Sequence, residues 1–193
     1  MTLTALFDQA DQLKRLANEM ATDTRFEQRH DLISDYHMAA EFLLCYQGSP
    51  DTFNAYRREV ERFLQWCIAH PPHHLKIMDR QRIMTYIQFA QSPPESWLAS
   101  QHYPRFYEKN GLRLPHPKWR PFVLRTPKAM RKQRVQPVEA PFEMSQAALK
   151  SMLAILSTFF TFLQQEQYTD VNPIRLIRQK SMLIQKTQNS RVS

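Results

Sequence analysis

The sequence predicts an all-α fold: a compact orthogonal bundle of about four helices. A two-helix extension precedes it, and a long proline-rich basic insertion interrupts it. Three observations predict this. Apolar residues recur at helical spacing in successive stretches. Only two glycines occur in 193 residues, against 13 prolines. So few glycines argue against a Gly-rich phosphate loop, a dinucleotide fold or a β-protein with many tight turns, all of which need positive φ. Nine of the prolines fall between residues 92 and 144, where no long helix can run. Apolar residues make up 42% of the chain, enough for a folded core rather than disorder.

The first element is expected over residues 2–20, where Leu3, Leu6, Phe7, Ala10, Leu13, Leu16, Ala17 and Met20 line one helical face. A second helix is expected from Thr24 to Tyr46, ended by Gly48-Ser49-Pro50-Asp51. The third runs from Pro50 to Ala69, with Ser49 as its cap and Pro50 in its first turn. Its apolar face is Phe53, Tyr56, Val60, Phe63, Leu64 and Cys67; Asn54, Arg58, Glu61, Arg62 and Gln65 form the opposite, polar side. Asp79 is placed to cap a fourth helix that ends near Gln91. Ser145 caps the last, residues 146–167, whose wide apolar face implies a central, buried helix. One stripe of it is small or polar: Lys150, Ser151, Ala154, Ser157, Thr158, Thr161 and Gln165.

The start, Met1 to Ala10, is mixed and partly acidic, unlike a signal peptide. No apolar run approaches the roughly 18 residues of a spanning helix. Cys45 and Cys67 lie in helix-like apolar settings and are expected to be buried thiols of a cytoplasmic protein. His70, His73 and His74 lack the acid or cysteine that would complete a four-ligand metal site. No metal or other cofactor is expected.

Charge is the clearest functional signal. The chain carries a net +8 with pI about 9.7. Between Arg105 and Arg134 lie ten basic residues and one acid, Glu108; the rest, with 16 basic and 17 acidic residues, is nearly neutral. Phe106, Tyr107, Trp119 and Phe122 interleave with that charge. A stiff basic segment with aromatics suits a phosphate backbone, through counterion release and packing on sugars or bases.

Two stretches resemble the core-binding (SAM-like) domain of the tyrosine recombinase, or phage integrase, family. Residues 49–66, SPDTFNAYRREVERFLQW, resemble the family's first core-binding helix, with Thr52, Tyr56, Val60, Phe63 and Trp66 in the expected places. Residues 153–163, LAILSTFFTFL, followed by Asn172-Pro173, resemble its last helix and the turn after it. The resemblance covers residues 47–180. It implies a helical clamp on one face of duplex DNA, with the two matching helices toward the major groove. It leaves 1–46 as an extension, 92–144 as an insertion and 181–193 as a basic tail. The role of 1–46 stays open between subunit contact, DNA-binding arm and packing support.

The DNA-contacting residues so implied are Thr52, Asn54, Arg57 and Arg58 on the first helix, and Lys150, Ser151, Ser157, Thr158 and Thr161 on the last. The family often carries arginine where this chain has Ser157 and Thr158. Lys118, Arg120, Lys128, Arg131, Lys132 and Arg134 of the insertion are therefore expected to supply phosphate contacts. The family's chemistry uses a tyrosine nucleophile with arginine, lysine and histidine partners in a downstream catalytic domain. None of these is assignable here: His102-Tyr-Pro-Arg105 has a matching spacing but sits in the insertion. The expected role is thus non-catalytic DNA binding in integration and recombination of a mobile element. The resemblance also implies several copies working together on DNA, and the expected setting is the bacterial cytoplasm, with neither a membrane nor a small-molecule substrate. The alternative is a helical protein–protein interaction module without intrinsic DNA binding.

Overall fold

The computed structural model describes residues 3–13, 29–124 and 142–177. Four α-helices are found there: α1 (His30–Leu44), α2 (Pro50–Ala69), α3 (Arg80–Gln91) and α4 (Gln146–Gln165). Between α3 and α4 come four short strands: β1 (Leu98–Ala99), β2 (Phe106–Lys109), β3 (Leu112–Pro115) and β4 (Phe122–Val123). The fold is therefore mostly helical but not all-α. Lys128, Arg131, Lys132, Arg134 and the tail 181–193 lie outside the described residues.

Local chemistry sets the helix ends. The Asp79 carboxylate accepts the Arg82 N–H at 2.8 Å and starts α3. The Ser145 hydroxyl accepts the Ala148 N–H at 3.2 Å and starts α4. Each satisfies one of the orphan donors of a first turn. α2 differs from the expected cap: Ser49 is at the N-cap position, but its hydroxyl donates to that of Thr52 at 2.9 Å and accepts no backbone N–H. Pro50, preset in φ and lacking an N–H, opens this helix instead.

α4 is the centre of the core. Leu149, Met152, Leu153, Ile155, Leu156, Phe159, Phe160 and Leu163 are all buried. Phe42 of α1 meets Phe159 and Phe162, with ring centroids 5.0 and 5.4 Å apart. Phe63 of α2 meets Phe160 at 5.8 Å and Tyr86 of α3 at 4.9 Å. α4 also has the length and mean hydropathy (1.4) of a spanning helix, contrary to the expectation that no segment would. Apart from Lys150 its outward stripe is mostly small and uncharged, which keeps the average high while the bulky side packs inside.

Residues 3–9 depart from the helix expected over 2–20, whose residues 14–20 lie outside the described residues. The 3–9 stretch runs without helical structure, followed by a 3-10 turn, Ala10–Gln12, and helical backbone at Leu13. The reason is tertiary. The Glu61 carboxylate accepts the N–H groups of Leu6 (2.6 Å) and Phe7 (3.1 Å). Gln65 donates its amide to the Thr4 carbonyl at 2.5 Å, and the Tyr36 hydroxyl donates to the Leu6 carbonyl at 3.1 Å. Those partners replace intrahelical bonds and override local propensity. The strap also covers the expected polar face of α2: Glu61 and Gln65 are buried, not solvated. Leu6, Phe7 and Leu13 join α1 in the same core, Phe7 stacking on Tyr36 at 4.8 Å.

α1 begins at His30 rather than near Thr24, since Arg29 is already non-helical. Cys67 is buried as expected, but Cys45 is exposed. It follows the last residue of α1, where the chain turns away from the core. The part of the insertion described up to residue 124 carries the four strands. β2 and β3 form an antiparallel hairpin, Phe106 opposite Pro115. Asn110 and Gly111 at its tip both have positive φ, 53° and 72°, which suits an Asn-Gly hairpin turn. β1 and β4 pair in parallel, Leu98 with Phe122. Phe122 then enters the main core, and the Arg62 guanidinium lies 4.4 Å from its ring centroid.

Candidate nucleic-acid interface

The small polar stripe of α4 forms an open groove of about 500 Å3. Lys150, Leu153, Ala154, Ser157, Thr158 and Thr161 line it, together with Arg175. Among the described residues the lining contains no acid. Lys150 and Arg175 are exposed, and neither forms an ion pair with a carboxylate among the described residues. The groove exists because residues three and four apart share a helix face and here are short. Two of its hydroxyls fold back: Thr158 donates to the Ala154 carbonyl at 3.0 Å and Thr161 to the Ser157 carbonyl at 2.9 Å. They therefore protrude little.

Asn172-Pro173 acquires a physical role here. The buried Asn172 amide donates to the Ser157 carbonyl at 2.8 Å and to the Thr161 hydroxyl at 3.1 Å. Its carbonyl oxygen accepts the N–H groups of Ile174 (3.2 Å) and Arg175 (3.4 Å). One side chain thus docks the turn on α4 and sets Arg175 at the groove. Ser157 and Thr161, expected as DNA contacts, also serve as this docking point. Ser151 is exposed beside Lys150, outside the groove lining.

A second concave surface lies between α2, the N-terminal strap and the insertion. It encloses about 310 Å3 and is lined by six arginines: Arg57, Arg58, Arg62, Arg105, Arg113 and Arg120. Asp8, His102, Tyr103 and Trp119 complete much of the wall. Arg113 pairs with Asp8, with one contact at 2.8 Å. Arg58 and Arg62 share Glu59, at 2.7 and 3.1 Å. Arg105 pairs with the buried Glu61, its guanidinium 5.1 Å from the Trp119 ring centroid. Arg57 donates to the Asp8 carbonyl (2.6 Å) and to the Asn54 side-chain oxygen (2.7 Å). Arg120 donates to the carbonyls of Trp119 (2.6 Å) and Pro117 (2.9 Å).

Burial, then the neighbouring charges of Arg57 and Arg58, hold the Arg105 guanidinium well below its usual range. Burial also lowers Arg57, partly offset by Asp8. Arg113 moves the other way, raised by its hydrogen bonds to Asp8.

The expected contact residues thus divide. Lys150, Ser157, Thr158 and Thr161 line the groove. Arg57, Arg58 and Arg120 line the arginine pocket. Thr52, Asn54, Ser151 and Lys118 line neither, although Asn54 holds Arg57 and Lys118 is 6.0 Å from the Tyr103 ring centroid. Sequence reasoning missed Arg62, Arg105, Arg113 and Arg175 as site residues. Local charge density marked Arg105 and Arg113, but only the fold brings them onto α2.

Compared with known proteins, the chain matches no family model, no curated protein and no solved structure.

Proposed function

We propose that the chain binds duplex DNA as the non-catalytic N-terminal clamp domain of a site-specific tyrosine recombinase. The observation that carries this is the groove on α4, acid-free among the described residues, with Lys150 and Arg175 exposed and without carboxylate partners among them. Short side chains let a helix approach the sugar-phosphate backbone closely, and the cations neutralise phosphates. The resemblance of residues 49–66 and 153–163 to the family's two DNA-facing helices supports the same reading. In it, Asn172 acts indirectly by fixing Arg175, and the hydroxyls of Ser157 and Thr158 contact phosphates or base edges.

The test is fluorescence anisotropy with a labelled duplex, comparing the wild-type chain with Lys150→Gln/Arg175→Gln. Two lost phosphate contacts should weaken binding about tenfold or more at low salt. Undiminished affinity in the folded variant would remove the groove from the interface.

A further inference from the structure

We infer that the arginine-lined pocket between α2 and the insertion is a binding site for a compact phosphate oxyanion, such as a phosphate or pyrophosphate group. This inference goes beyond duplex binding by the α4 groove and does not depend on it.

The charge count is the first argument. Six guanidinium groups line the cavity, and their direct ion pairs reach three carboxylates among the described residues, Asp8, Glu59 and Glu61, while Asp11 and Glu108 act on Arg113 without an ion pair. Glu59 is shared between Arg58 and Arg62. Arg57 and Arg120 find only neutral oxygens. A purely structural ion-pair network would balance its charges, because uncompensated charge is costly away from water. Counting direct ion pairs, this one leaves three guanidinium charges in excess around the cavity, and Asp11 and Glu108 offset part of that at the Arg113 end only.

One guanidinium donor is also unused. The Arg57 Nε is buried without a hydrogen-bond partner, whereas buried polar groups normally have one. An anion placed among these groups would oppose the burial, and the added charges of Arg57 and Arg58, that hold Arg105 low. Shape is the second argument. At about 310 Å3 the cavity lies at the small end of ligand pockets. Arginine forks match phosphate oxygens bidentately, and here they converge from a helix, a hairpin and a loop. Phosphate on a nucleic-acid strand and phosphate on a free small molecule share this chemistry.

The experiment is calorimetric titration of the full chain with sodium pyrophosphate at low ionic strength. Three proteins are compared: wild type, Arg57→Gln/Arg120→Gln, and the charge-matched Lys150→Gln/Arg175→Gln. Wild type should bind one pyrophosphate saturably. The pocket pair should lose about tenfold or more in affinity, the worth of two charged hydrogen bonds. The groove pair should stay within about twofold, as for an independent site. Should Arg57→Gln impair folding, Arg120→Gln alone carries the test, since its guanidinium donates only to loop carbonyls. Absence of saturable binding, or equal weakening by both pairs, overturns the inference. A competition arm then finds the source. Displacement of labelled duplex by pyrophosphate assigns the pocket to a strand phosphate; simultaneous binding assigns it to a free phosphorylated molecule. Pyrophosphate binding without duplex binding would keep this site and sink the DNA reading, and the reverse would do the opposite.

Discussion

Replacing Glu61 should reveal how strongly the N-terminal strap and the arginine pocket depend on one carboxylate. Glu61 is 1% exposed. Its carboxylate accepts two strap N–H groups, from Leu6 and Phe7, and pairs with Arg105. Glu61→Ala removes all three contacts. It leaves two buried donors unpaired, at about 1–3 kcal/mol each, and strands a buried guanidinium, a loss that on its own reaches about 3–5 kcal/mol. These costs overlap, so about 5 kcal/mol is the expected total, close to the whole stability of a small domain. Glu61→Gln is the better probe. Its amide oxygen still accepts from the strap, while its NH2 replaces the oxygen facing Arg105, so the counter-charge and that acceptor are lost, at about 2–3 kcal/mol. Urea denaturation measures the loss. Hydrogen exchange at the Leu6 and Phe7 amides should stay protected in Glu61→Gln and open in Glu61→Ala. A change below about 0.5 kcal/mol in Glu61→Ala, typical of a surface site, would refute the argument.

Asp35 offers a pH test. It is fully buried, accepting the Leu75 N–H and the Tyr168 hydroxyl at 2.7 Å each, and burial pushes its pKa up from 3.8 to about 7. The folded state therefore holds a proton that the unfolded state has released. Stability from this group is full below about pH 4 and is lost as pH rises toward 7, by up to about 4 kcal/mol. Urea midpoints across that range should fall relative to Asp35→Asn; a parallel profile would contradict this. Asn172→Ala should cost about 2–3 kcal/mol by undocking the Asn-Pro turn, and should also weaken duplex binding through Arg175. Retained duplex affinity in that variant would separate Arg175 from DNA. A thiol reagent should modify Cys45 rapidly in the folded chain. Cys67, buried and with its thiol pushed well up, should react only on unfolding. Two fast thiols would show that the core opens readily.

The helices were legible where local signals and packing agree. α2, α3 and α4 begin where Pro50, Asp79 and Ser145 stand, and the apolar periodicity of α4 matches its buried face. Residues 3–9 misled because a helical apolar pattern also suits a strap that buries Leu3, Leu6 and Phe7 against other elements. The deciding partners, Glu61 and Gln65, lie more than 50 residues away. The hairpin was readable in principle: Asn110-Gly111 is a strong turn signal, masked by the surrounding prolines and charge. Of the candidate site, the α4 stripe was visible as a gap in an apolar helix. The arginine pocket was not, because half of its arginines come from α2 and half from the insertion. Only tertiary structure decides which of many basic residues converge.

The central claim, duplex binding through exposed cations, is tested most directly by the salt dependence of affinity for a generic duplex. With four or more phosphates neutralised, the log–log slope should be roughly −4 or steeper. The slope should flatten by about 2 in Lys150→Gln/Arg175→Gln. A wild-type chain that fails to bind duplex at low salt would contradict the account and favour a helical protein-interaction module.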